Sequence, residues 1–316
     1  GASHLVHMSA HIFSRLGRHA AGIAASERAV ISDRKLKRMC LEAYAPGHNV
    51  AVLQESAMAS GDEARAIAHA EELWRYDSGY STDFLGLYPI PDLLVWCRFG
   101  RWREVLGART AGEAGEGSED DMPAFARCVT HYSRGMALAG TGDLAGASQE
   151  LTLLASRRLL VRDSAAPKGN IFYGYFREMS EIMELTLQAR LAFAREGAEG
   201  AEREGGESAA SLLERAAETW HNMTYMEPEL WYLPVKQCLA AVVAEQGQPG
   251  RALVIYEDDL AAHPHNQFGL AGASRALAMV QGAGLGAEAA EAAGRLRTLL
   301  VLEESRLRSL ELCGSC

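Results

Sequence analysis

The sequence predicts an all-α fold, an α-solenoid built from antiparallel helix hairpins. A glycine stands between two amphipathic stretches at five places, Gly17, Gly61, Gly100, Gly142 and Gly247. Their intervals are 44, 39, 42 and 105 residues, the last roomy enough for two units. Alternating β-branched runs that would signal strands are missing throughout. Glycine takes left-handed backbone angles cheaply, so it ends one helix while the next begins within two or three residues. Small residues such as Ala66 and Ala147 then let the paired helices approach. One hairpin cannot bury its own apolar face, so neighbours must stack, and about six or seven hairpins are expected.

In chain order, Ser3–Leu16 and His19–Ser32 form the first hairpin, and Pro46–Gly47 breaks the chain before His48–Ser60 and Glu63–Trp74. A longer loop leads to Asp92–Phe99 and Trp102–Arg109, followed by an acidic stretch without apolar periodicity, Gly107–Asp121. Pro123 opens Ala124–Ala139 and Leu144–Leu159, and Tyr173–Arg195 is a long helix whose partner is Ser208–His221. Glu229–Gln246 pairs with Gly250–Ala262, and Asn266–Gln281 with a closing helix, Ala287–Ser309. The linker Gly197–Glu207 divides the array into residues 1–196 and 208–316 of one solenoid. It and the acidic stretch lack apolar residues to dock them, which marks both for early proteolysis. Gly61→Val is expected to cost about 1 kcal/mol or more if Gly61 has a positive φ.

A chain of 316 residues with 48% hydrophobic and 23% charged residues can bury a sizeable core. Its net charge of −10, with no Lys/Arg block, argues against nucleic acid and against an anionic membrane surface. No apolar run approaches the ~18 residues of a spanning helix, so membrane insertion is not expected. Six scattered cysteines do not read as a disulfide framework, and Cys40, Cys97, Cys128 and Cys238 fall in apolar helical pattern as small hydrophobes. That usage favours a reducing, cytoplasmic setting. The chain starts at Gly1 almost inside a repeat, as if cut from a longer one, so the compartment stays open.

The unit CLAAVVAEQGQPGRALVIYEDDLAAHP, with Gly247, Ala252, Tyr256 and Pro264, resembles the tetratricopeptide-repeat superfamily. That resemblance implies a right-handed superhelix with a concave groove. More narrowly, HLVHMSAHIF at His4–Phe13, GHN at Gly47–Asn49, RFGRWREVL at Arg98–Leu106 and YMEPELWYLPVKQCL at Tyr225–Leu239 resemble a group of mostly bacterial repeat proteins. Members of that group usually carry a further histidine-bearing segment upstream. They also tend to have Pro where this chain has Ser9 and His where it has Ala51.

His4, His7 and His11 are spaced three and four apart, on one helical face. Counted from the turn glycines, His4 corresponds to His48, His7 to Ala51 and His11 to Glu55. The resemblance places this face in the groove, so His4, His7, His11, His48, Asn49 and Glu55 are the candidate ligand-binding set. His7, His11 and His48 are the candidate metal ligands, suited to zinc or another divalent ion. Without an HExxH pattern the usual general base of a metalloprotease is missing. The plain alternative has these histidines filling polar gaps beside groups such as Asn49.

Tyr225, Glu227, Glu229, Trp231 and Tyr232 pair carboxylates with aromatics, a combination that serves sugar chemistry but reads here as a packed join between repeats. Cys313 and Cys316 form a C-x-x-C with no second pair. His263 and His265 flank Pro264 at a helix end, where a cation suits the helix dipole. Phosphate-loop and nucleophile-elbow motifs are missing. The reading ranked first is a non-catalytic repeat scaffold that binds a peptide or protein partner in its groove. The rival is a metal-binding protein or metal-dependent enzyme that uses the histidine cluster.

Overall fold

The computed structural model of the chain describes residues 3–41, 47–77, 91–108, 123–163, 173–199, 207–231, 233–280 and 285–307. Among these residues the structure is all helical, with no strand. In chain order the helices are α1 (Ser3–Arg15), α2 (His19–Arg38), α3 (His48–Ala59), α4 (Glu63–Asp77), α5 (Pro91–Arg98), α6 (Trp102–Gly107) and α7 (Ala124–Gly140). They continue with α8 (Leu144–Asp163), α9 (Tyr173–Glu199), α10 (Ala209–Asn222), α11 (Val235–Glu245), α12 (Pro249–Ala262), α13 (Gln267–Met279) and α14 (Ala287–Leu307). They pack in consecutive pairs, α1 on α2 through α13 on α14.

All five turn glycines have positive φ, between 65 and 91°. Each closes its helix in the same way. At the first turn the Gly17 N–H donates to Ser14 O (2.9 Å) and the Arg18 N–H to Phe13 O (2.8 Å), the paired bonds of a Schellman cap. The same pair recurs around Gly61, Gly100, Gly142 and Gly247. Five residues beyond each glycine stand Gly22, Ala66, Val105, Ala147 and Ala252, with all four side-chain-bearing members fully buried. On α12 Tyr256 is buried beneath Gly272 of α13, where a Cβ would stand 2.3 Å from the phenolic oxygen.

Two elements differ from expectation. α2 runs on to Arg38, six residues past Ser32, and ends in a sixth Schellman cap with Cys40 at φ 54°. Cys40 is therefore an exposed turn residue and not part of a helix. α11 begins at Val235 instead of Glu229, because Pro234 lacks an N–H and sits extended at the N-cap position. Cys97 and Cys128 are buried free thiols as expected, whereas Cys238 is disulfide-bonded. The acidic stretch after Gly107, most of the 197–207 linker, Tyr232, Cys313 and Cys316 lie outside the described residues.

The chain forms two compact units. One joins residues 1–80 to residues 226–312, and the other is centred on residues 81–225. In the second unit α7 and α8 pack together and α9 lies on both, with Phe125 stacked on Phe176 at 4.4 Å. The first unit holds all six candidate ligand-binding residues. Its early and late segments meet where the His19 Nε2–H donates to Pro264 O at 3.2 Å.

A candidate metal centre

α1 is amphipathic the wrong way round. Leu5 is 73% exposed and Ile12 62%, while His7 is 0% and His11 6% exposed. The helix points Leu5, Met8 and Ile12 outward and its imidazoles inward. Ordinary helix amphipathicity gives the opposite arrangement, and the apolar packing of α1 comes from Ala10 and partly buried Phe13 against Ala25 and Val52.

His48 joins the two imidazoles of α1 as the first residue of α3. Gly47, at φ 89°, turns the chain into that helix. The ring centroids of His7 and His11 are 4.3 Å apart, those of His7 and His48 4.6 Å, and those of His11 and His48 5.3 Å. One ring nitrogen from each residue lies within 4.8 Å of the others. His4 stands aside, its ring 6.0 Å from that of His7.

Both ring nitrogens of His7 are buried without a hydrogen-bond partner. Burial, reinforced by the neighbouring imidazoles of His48, His11 and His4, lowers its pKa to about 3. Burial and the adjacent histidines bring His48 down to about 4. His11 is lowered mainly by burial, with Glu227 opposing. The three rings are therefore neutral near pH 7, with lone pairs available, the state a metal requires.

Beside the trio opens a cleft lined by His11, Ser14, Arg15, Glu55, Glu227 and Glu229, among others. Glu227 Oε2 is 3.6 Å from His11 Nδ1, and its Oε1 is 3.8 Å from Arg15 Nε. The Arg15 Nη1–H donates to Glu229 Oε1 at 2.9 Å. On the other oxygen of Glu229 sits His263 Nε2, at 3.2 Å, while His263 Nδ1 holds Asp259 at 2.9 Å. Burial opposes charge on His263, but its bonds to Asp259 and Glu229 raise it to about 10. Fully buried Asp259 also accepts from Gln237 Nε2 at 2.8 Å. Glu55 is half-buried and 3.5 Å from Ser14 Oγ. Burial, and then the Glu229 carboxylate, bring it up to about 7.

The structure brings together His7, His11 and His48, with Glu55 on the adjoining cleft. His48 meets His7 and His11 rather than His4 alone, and Glu55 meets Ser14 rather than His11. The contact is thus about one turn further along α1 than counting from the glycines gives. Asn49 is buried and engaged elsewhere, its Nδ2 donating to Asp33 Oδ2 on α2 at 2.5 Å. His263 caps α12 with its backbone, as its position suggested, but its ring binds two carboxylates. The i,i+4 spacing of Asp259 and His263 was the sequence signal for that pair. Of the aromatic cluster, Trp231 is buried and Tyr225 exposed. His19, on the second helix of the first hairpin, is itself buried on Pro264. His221, by contrast, is exposed at the end of α10. None of the protein-family models, curated proteins and solved structures compared with the chain matches it.

Proposed function

We propose that this is a metal-binding protein that holds one divalent transition-metal ion, of the zinc class, on His7, His11 and His48. The observation that carries this reading is His7, whose two ring nitrogens are buried and unbonded between two other neutral imidazoles. A buried polar atom left without a partner costs about 1–3 kcal/mol, and a metal ion removes that cost for one nitrogen of His7. Three imidazoles leave the fourth position of a tetrahedral ion for a water or ligand, on the side where His11 borders the cleft. The test is calorimetric titration of Zn²⁺ into chelator-stripped protein, alongside His7→Ala, His48→Ala and His221→Ala. Stoichiometric binding in wild type and His221→Ala that is lost in the other two variants is the expected result. Absence of saturable binding in the wild type overturns the proposal.

A second reading, a repeat scaffold for a peptide or protein partner, is favoured by solvent-facing Leu5, Met8 and Ile12 on α1. Five identical caps and the consecutive pairing support a tetratricopeptide-like right-handed superhelix for that scaffold. The two readings are compatible, because the outward apolar residues and the inward histidines occupy different faces of one helix.

A further inference from the structure

Resting on the metal reading, we infer that Glu227 is a positioning residue for the centre. With an ion in place, its Oε2 would close on the Nδ1–H of His11, accept it, and so fix the tautomer that turns the Nε2 lone pair toward the ion. Glu227 stands outside the group of three imidazoles whose nitrogens lie within 4.8 Å of one another, yet its Oε2 faces His11 Nδ1 at 3.6 Å. That distance is slightly beyond a hydrogen bond, and a shift of under ~1 Å closes it. Histidines that bind metals commonly give their second N–H to a carboxylate, which orients the ring and raises its basicity.

The carboxylate is itself held. Arg15 lies one helical turn beyond His11, and its guanidinium sits against Glu227 Oε1 while Oε2 faces the imidazole. The same guanidinium is fixed by Glu229, which is fixed by His263, which is fixed by buried Asp259. A chain of charged contacts thus runs from α12 to one metal ligand on α1. Because coupling is reciprocal, whatever Glu227 adds to metal affinity the metal returns as tighter docking of the segment that carries Glu227.

The experiment measures Co²⁺ affinity and the visible spectrum of the cobalt protein for wild type, Glu227→Ala and Glu227→Gln, with circular dichroism confirming the fold. Glu227→Ala is expected to bind Co²⁺ 10–100-fold more weakly. Glu227→Gln keeps an acceptor oxygen and should lose far less, with the spectrum of the bound ion unchanged in both variants. Metal should also slow amide exchange across residues 223–231 in wild type and not in Glu227→Ala. Wild-type affinity in Glu227→Ala overturns the inference while leaving the metal centre standing. A changed cobalt coordination spectrum in Glu227→Gln overturns it in favour of direct ligation. A wild-type protein that takes up no cobalt removes the metal reading itself.

Discussion

The ring of His7 stands edge-on to that of His48, 4.6 Å between centroids and 70° between planes. Neither ring can take a proton without placing a charge in the interior beside the other, and this sets the acid side of the stability profile. With His7 near 3 and His48 near 4, against 6.5 when unfolded, the unfolded chain binds more protons as pH falls below 6.5. Stability is therefore lost on acidification through that window. Glu55, raised from 4.5 to about 7, works in the opposite sense and offsets one of those protons. His263, raised to about 10, keeps its proton in the fold from 6.5 upward, so its contribution is lost as pH rises toward 10. Urea midpoints of chelator-treated protein should peak near neutrality, and His263→Gln should flatten the alkaline side. A midpoint unchanged between pH 6.5 and 4.5 would contradict this account.

Gly17 and Gly247 share a positive φ, 67 and 80°, but not their surroundings. A Cβ on Gly17 would lie 2.2 Å from the carbonyl oxygen of Pro264, whereas one on Gly247 meets open space. Gly247→Ala should cost about 1 kcal/mol, from backbone conformation alone. Gly17→Ala should cost about 3 kcal/mol or more, since the backbone of Pro264 must also move. Denaturant melts of the two variants make the comparison, and equal losses would mean that the Gly17–Pro264 approach is not close in solution.

Cys40 occupies the position that glycine fills in the other five caps, at φ 54°. An L side chain is disfavoured in that conformation by roughly 1–2 kcal/mol, part of which glycine returns through the greater freedom of its unfolded chain. Cys40→Gly should stabilise the protein by about 0.5–1 kcal/mol. A fall in the melting temperature of that variant would show that the Cys40 side chain makes a contact worth more than the strain.

The Asn49 Nδ2–H donates to the buried carboxylate of Asp33, whose Oδ1 has no partner among the described residues. Asn49→Ala strands that charge and should destabilise by about 2–3 kcal/mol. The double variant Asn49→Ala/Asp33→Ala should lose less than the sum of the single variants. Strict additivity in a double-mutant cycle would count against the pairing.

Glycine carried most of the fold into view. Its left-handed caps recur in the sequence, and helix boundaries elsewhere fell within a few residues of the periodic pattern. The end of α2 was hidden because Cys40 takes the left-handed turn without a glycine to announce it. The start of α11 was hidden because Leu230 and Trp231 continue an apolar pattern that Pro234 overrides. At the site, the shared face of His7 and His11 was legible from spacing. The meeting with His48 was right in substance but shifted by a turn, because stagger between neighbouring helices is set by side-chain packing rather than by distance from a glycine. The approach of Glu227 and Glu229 to α1 was not legible, since no periodicity describes the irregular segment that carries them across more than 200 residues of sequence.

The unit that holds the centre is interrupted in sequence by roughly 145 residues, which a ribosome adding about 5–20 residues per second needs on the order of ten seconds to make. His7, His11 and His48 all lie in the part that emerges first. During synthesis the three imidazoles emerge well before Glu227, Glu229 and His263 exist, so the histidine cluster comes first in time and the charged residues packed beside it come last.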